Sequence, residues 1–83
     1  MNHFKKAYLV IICDPITNAI LRVEIWSSPE WEQSMCLKER SFIAYAVEGE
    51  TYHEARLSLL EAIKIPSCRY HYLYNLMTQD EKE

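Results

Sequence analysis

At 83 residues, with a quarter of them charged and a formal net charge of −3, the chain has room for one domain and one modest core. The acidic balance argues against a general nucleic-acid binder, which needs a basic footprint, and one glycine with three prolines argues against a disordered chain or linker. Cys13, Cys36 and Cys68 are odd in number and irregularly spaced, which is no disulfide framework and fits a reducing, cytoplasmic setting.

The opening residues lead into a short apolar run, Ala7 to Cys13. It is too short to cross a membrane and no cleavage site follows, so neither a signal peptide nor a membrane partner is expected. Lys6 to Cys13 is apolar on both faces and rich in β-branched residues, which predicts a central strand. Asp14 to Asn18 is a turn, and Ala19 to Trp26 alternates as a half-buried strand, so the two form a hairpin. Leu21, Val23 and Ile25 point to one side; Arg22, Glu24 and Trp26 point to the other. Ser28-Pro29-Glu30 predicts a short helix over about 29–37, with Trp31 and Met35 facing the protein. Ser41 to Val47 reads as a third strand.

The segment Ser41 to Ile65 is the organising element. Gly49 stands where strand must turn to helix, a natural place for positive φ. Thr51 followed by Glu54 is a capping box. Tyr52, Ala55, Leu59, Ala62 and Ile63 form the buried stripe of the helix, and Pro66 ends it. Leu57 falls on the polar side and gains interest only as part of a larger apolar patch. After Pro66 two periods compete. Tyr70, Tyr72, Tyr74 and Leu76 alternate like a strand, whereas Tyr70, Leu73, Tyr74 and Met77 fit a helix; the strand is preferred because tyrosine suits half-buried pleats. Residues 78–83 read as a frayed tail of a single domain spanning 1–83. The expected fold is therefore α+β: a small antiparallel-rich sheet in the order β-β-α-β-α-β, with one long helix packed on one face.

Several chemistries can be weighed. Cys68 and His71 have a metal-ligand spacing, but no second pair exists, and cysteines acting as small core hydrophobes are the simpler explanation. Cys36 or Cys68 with His53 or His71 could form a nucleophile and base, but nothing in the spacing places them together. No phosphate-binding loop is present. The run Arg69 to Tyr74 interleaves cations with aromatics that could stack on bases; sheet tyrosines are the simpler reading. No cofactor is expected, and the chain reads as a non-enzyme.

A protein partner is the remaining class. Ten aromatics exceed what one small core can hide, so Trp26 and several tyrosines should stay partly exposed. The candidate partner-binding residues are Trp26, Glu30, Glu32, Glu48, Glu50, Glu54, Leu57 and Tyr72. The acids could meet a basic surface or could simply favour the helix N-terminus. The expected partner is a host protein or ribonucleoprotein complex, and a homodimer is left open.

Gly49-Glu50-Thr51-Tyr52-His53-Glu54-Ala55 resembles the strand-to-helix passage of HicB-type antitoxins, over about a quarter of the chain with its flanks. That resemblance implies a regulator neutralising a small RNase toxin. In size, acidity and layout the whole chain resembles small anti-defence proteins of phages and mobile elements, such as anti-CRISPR proteins. That likeness implies a non-catalytic inhibitor of a host nucleic-acid-targeting complex. A small cysteine- or metal-dependent enzyme is the alternative from another class.

Overall fold

A computed structural model describes residues 5–27 and 39–79. Three antiparallel strands, β1 (Lys5–Cys13), β2 (Ile20–Trp26) and β3 (Arg40–Gly49), form a sheet in the order β2-β1-β3. Two helices follow, α1 (Tyr52–Lys64) and α2 (His71–Gln79). The class is α+β, but the expected β-β-α-β-α-β order is wrong. The last described element is a helix instead of a fourth strand, and among the described residues there is no single long helix: α1 has 13 residues and α2 has 9. The short helix expected over 29–37, like Glu30 and Glu32, lies outside the described residues.

The apolar run of β1 is explained by its central place and by burial on both faces. Ala7 and Leu9 join Val23, Ala55, Leu59, Ile63 and Leu73 in a buried cluster on the helix side. Val10 and Ile12 join Trp26 in a second buried cluster on the other side, with Tyr8 packed against it. Trp26 is thus a correction: it is 4% exposed, so it cannot serve as a docking residue. The strand alternation placed it with Arg22 and Glu24, away from the helices, and that face turns out to bury apolar area as well. A large indole on such a face becomes core.

The β1–β2 hairpin turns through Asp14–Ala19. Asp14 Oδ1 accepts from the amides of Ile16 and Thr17, an Asx turn, and Asn18 supplies the positive φ of 63° that closes it. Gly49 does not have positive φ; it ends β3 against the start of α1, where a Cβ would lie 2.7 Å from the Ala55 amide nitrogen. The glycine is needed for close approach, not for a left-handed turn.

Thr51 caps α1, its hydroxyl accepting from the Glu54 amide at 3.1 Å, and Ile65 before Pro66 is extended at φ −71°, ψ 123°. Overlapping turns then reverse the chain, Cys68 N donating to Ile65 O and His71 N to Cys68 O. His71 Nδ1 lies 3.0 Å from Ile63 O, tying the first residue of α2 to the end of α1. The expected strand at 69–76 is overturned by this docking. Once the chain doubles back over the covered face, the 3.6-residue stripe of Tyr70, Leu73, Tyr74 and Met77 packs on the core, and Leu73 is fully buried. Tertiary packing overrides the strand preference of tyrosine.

Candidate protein-interaction surface

The segment that caps and starts α1 also sets out most of the candidate acids. Glu48 lies one residue before the end of β3, opposite Lys6 on β1, in a loose ion pair of 3.8 Å with both side chains about half-exposed. Such a pair contributes at most ~1 kcal/mol, so it does not tie Glu48 down. Glu50 and Glu54 are exposed at the strand-to-helix junction. Glu54, Leu57 and Glu61 then recur at i, i+3 and i+7, which puts them on one outward stripe of α1.

Leu57 meets the condition that makes an off-face leucine informative. It is 47% exposed and lies at a groove of about 260 Å³ between the two helices. Leu57, Leu60, Tyr74 and Met77 supply its apolar lining, and Arg56, Glu61 and Lys64 supply charges of both signs. The groove exists because α1 and α2 are short antiparallel neighbours joined by a tight reversal. No pattern in either helix alone discloses it, since Tyr74, Met77 and Thr78 reach it from α2, and Tyr74 lies in the stretch expected to be a strand. Ligand pockets usually run from ~300 to ~1,000 Å³, so this volume suits one or two side chains of a macromolecule better than a small molecule.

Tyr72 is 54% exposed, one helical turn before the partly exposed Leu76 on α2. Its helical phase sets it away from the Tyr74 flank that lines the groove. The candidate residues therefore divide. Glu48, Glu50, Glu54 and Leu57 belong to the junction and the outer side of α1, Tyr72 lies elsewhere, and Trp26 is interior.

Other groups single out structural roles. Trp26 Nε1 donates to Glu24 Oε1 at 2.8 Å, Arg22 Nε donates to Glu24 Oε2, and both terminal nitrogens of Arg22 donate to Glu39 at 2.8 Å. For Glu24, partial burial acts to raise the carboxyl pKa, but the bonds from Trp26 and Arg22 outweigh it and the net direction is down. The Glu39 carboxyl is lowered by the same guanidinium, and Arg22 is raised above the ordinary arginine range by the hydrogen bonds it donates first to Glu39 and then to Glu24. This is a cross-strand brace with every charge paired, not a reactive site.

The cation–aromatic run is also spent internally. The Tyr70 ring stacks on Tyr45 at 5.0 Å, the Arg69 guanidinium sits 5.7 Å from the Tyr70 centroid, and His71 stacks on Tyr74 at 5.9 Å. Cys68 Sγ accepts from the Tyr70 amide at 3.4 Å. Among the described residues, no three His, Cys, Asp or Glu side chains could hold one metal ion, and no helix is long and apolar enough to cross a membrane.

Comparison with known proteins finds no matching family, no similar curated protein and no similar solved structure. What the fold and surface define is a small α+β domain with an apolar interhelical groove beside an acidic helix stripe.

Proposed function

We propose that the protein is a non-catalytic, cytoplasmic protein-binding inhibitor or regulator that docks through the outer side of α1. The observation that carries this is the groove itself: half-exposed Leu57 at an apolar slot, on a stripe with Glu54 and Glu61. An apolar centre ringed by charge is the arrangement in which a partner's anchor side chain loses water and contributes most of the affinity. The acids around it favour a partner with a basic surface, and they would speed encounter with it. Complexes that handle nucleic acid present such surfaces, which supports the anti-CRISPR-like reading over a free enzyme.

The test uses tagged chain and a purified candidate nucleic-acid-targeting complex with its cleavage or binding assay. Wild-type protein is expected to bind and inhibit it. Leu57→Lys should weaken binding by about thirtyfold or more, the loss of a central anchor, with the circular dichroism spectrum unchanged. Glu54→Lys with Glu61→Lys should slow association and reduce its dependence on salt. Equal inhibition by wild type and Leu57→Lys would exclude this surface, and a wild-type chain that inhibits no such complex would exclude the function.

A further inference from the structure

A sheet edge offers unpaired main-chain groups to any other strand, and proteins blunt such edges with proline, interior charge or short length. Of the two edges here, β2 carries Arg22 and Glu24 in its interior. The other edge, β3, is 10 residues long, holds no proline, and has charge only near its ends, at Arg40 and Glu48. Its middle exposes Phe42, Ile43 and Tyr45.

We propose that the protein is a homodimer in which β3 pairs antiparallel with β3 of a second copy, fusing two three-stranded sheets into one of six strands. Two independent features of β3 select a copy of itself. The first is charge. The strand is basic at its start, Arg40, and acidic at its end, Glu48, with Glu50 just beyond. Antiparallel self-pairing brings each basic end beside the other copy's acidic end, twice by symmetry, whereas parallel pairing would set like against like.

The second is the match of faces. Leu9 pairs with Tyr45 but Val10 with Ile43, so Ala44 is an extra residue, a bulge. Ala44 packs against the helix-side cluster and Tyr45 stacks on Tyr70, so both lie on the covered face, with Phe42 and Val47. Ile43, opposite Val10, lies on the other face with Ala46, opposite Tyr8. A two-fold axis through the joined sheet keeps both helix layers on one side, so residues directly opposite must share a face. Among registers that add no further bulge, one satisfies this. Ala44 faces the partner's Tyr45, Ile43 the partner's Ala46, and Phe42 the partner's Val47. Sliding by one residue either way sets Ile43 against Tyr45, or Ala44 against Ala46, from opposite faces. In the matching register Arg40 faces the partner's Gly49, at the same end of the seam as the partner's Glu48 and Glu50.

Sedimentation equilibrium of the full chain tests this. The expected mass is twice the 9.9 kDa of one chain, falling to one chain on dilution. Ile43→Lys puts like charges near the axis and should weaken the dimer about tenfold or more, with the far-ultraviolet spectrum unchanged. Arg40→Glu should also weaken it, and Arg40→Glu combined with Glu50→Arg should restore much of the loss. Hydrogen exchange should slow in β3 as concentration rises. A chain that stays monomeric into the millimolar range overturns the proposal. So does a dimer that is indifferent to both Ile43→Lys and Arg40→Glu.

Discussion

Gly49 shows how one residue can be identified correctly for the wrong physical reason. A lone glycine between strand and helix suggests a left-handed turn, yet positive φ is supplied by Asn18 in a different loop. What Gly49 provides is the absence of a Cβ, because the backbone of Ala55 occupies that space. Gly49→Ala should therefore destabilise the fold by about 1–3 kcal/mol through overpacking, with β3 and the first turn of α1 forced apart. Urea unfolding measures this, and a midpoint equal to that of wild type would show that the junction relaxes freely. Trp26 teaches the converse. Strand alternation gave its side of the sheet correctly, but alternation cannot say whether that side is wet. Only assembly of Val10, Ile12 and Trp26 on one face discloses a second buried cluster.

Among the elements, those with a local signal were legible. β1 declared itself by a doubly apolar run and α1 by a cap, a stripe and a terminating proline, and both lie within two residues of where the sequence puts them. The cap has a definite worth. Thr51→Ala leaves the Glu54 amide without its side-chain acceptor and should cost ~1 kcal/mol, whereas Thr51→Ser should cost little. Thermal melts of the two variants measure the difference, and equal melting temperatures would show that water replaces the cap. α2 was not legible, because 70–77 satisfies both periods at once. The outcome was decided by Cys68 and His71 folding back on Ile65 and Ile63, contacts that belong to the reversal and not to the helix itself. The interhelical groove inherits that ambiguity. Leu57 could be noted as misplaced, but Tyr74 and Met77 become its neighbours only once α2 is a helix.

At the scale of the whole molecule, the brace on the second face links stability to pH. Arg22 and Glu24 lie on β2, while Glu39 precedes β3, so the Arg22–Glu39 bonds reach between the segments leading to the two sheet edges across β1. Both carboxyls are held below the ordinary glutamate range when folded. A lowered folded-state pKa means that the unfolded chain takes up protons first as pH falls. The stabilisation is then fully present above the unfolded value, about 4.3, and is lost as pH drops through the folded values. The Asp14 carboxyl, lowered by the Thr17 and Ile16 amides, acts in the same direction at the hairpin turn. The chain should therefore hold its urea midpoint from neutral pH down to about 5 and lose it progressively below about 4. Arg22→Met isolates the brace, since it removes the guanidinium from both carboxylates while leaving the Asp14 turn intact. Its midpoint should be lower at neutral pH and should fall less between pH 6 and pH 3, because Glu24 and Glu39 no longer differ as much between folded and unfolded chains. If the two acid limbs run parallel, the coupling of β2 to the start of β3 through Arg22 contributes nothing to acid stability. The remaining slope would then belong to Asp14 at the hairpin turn.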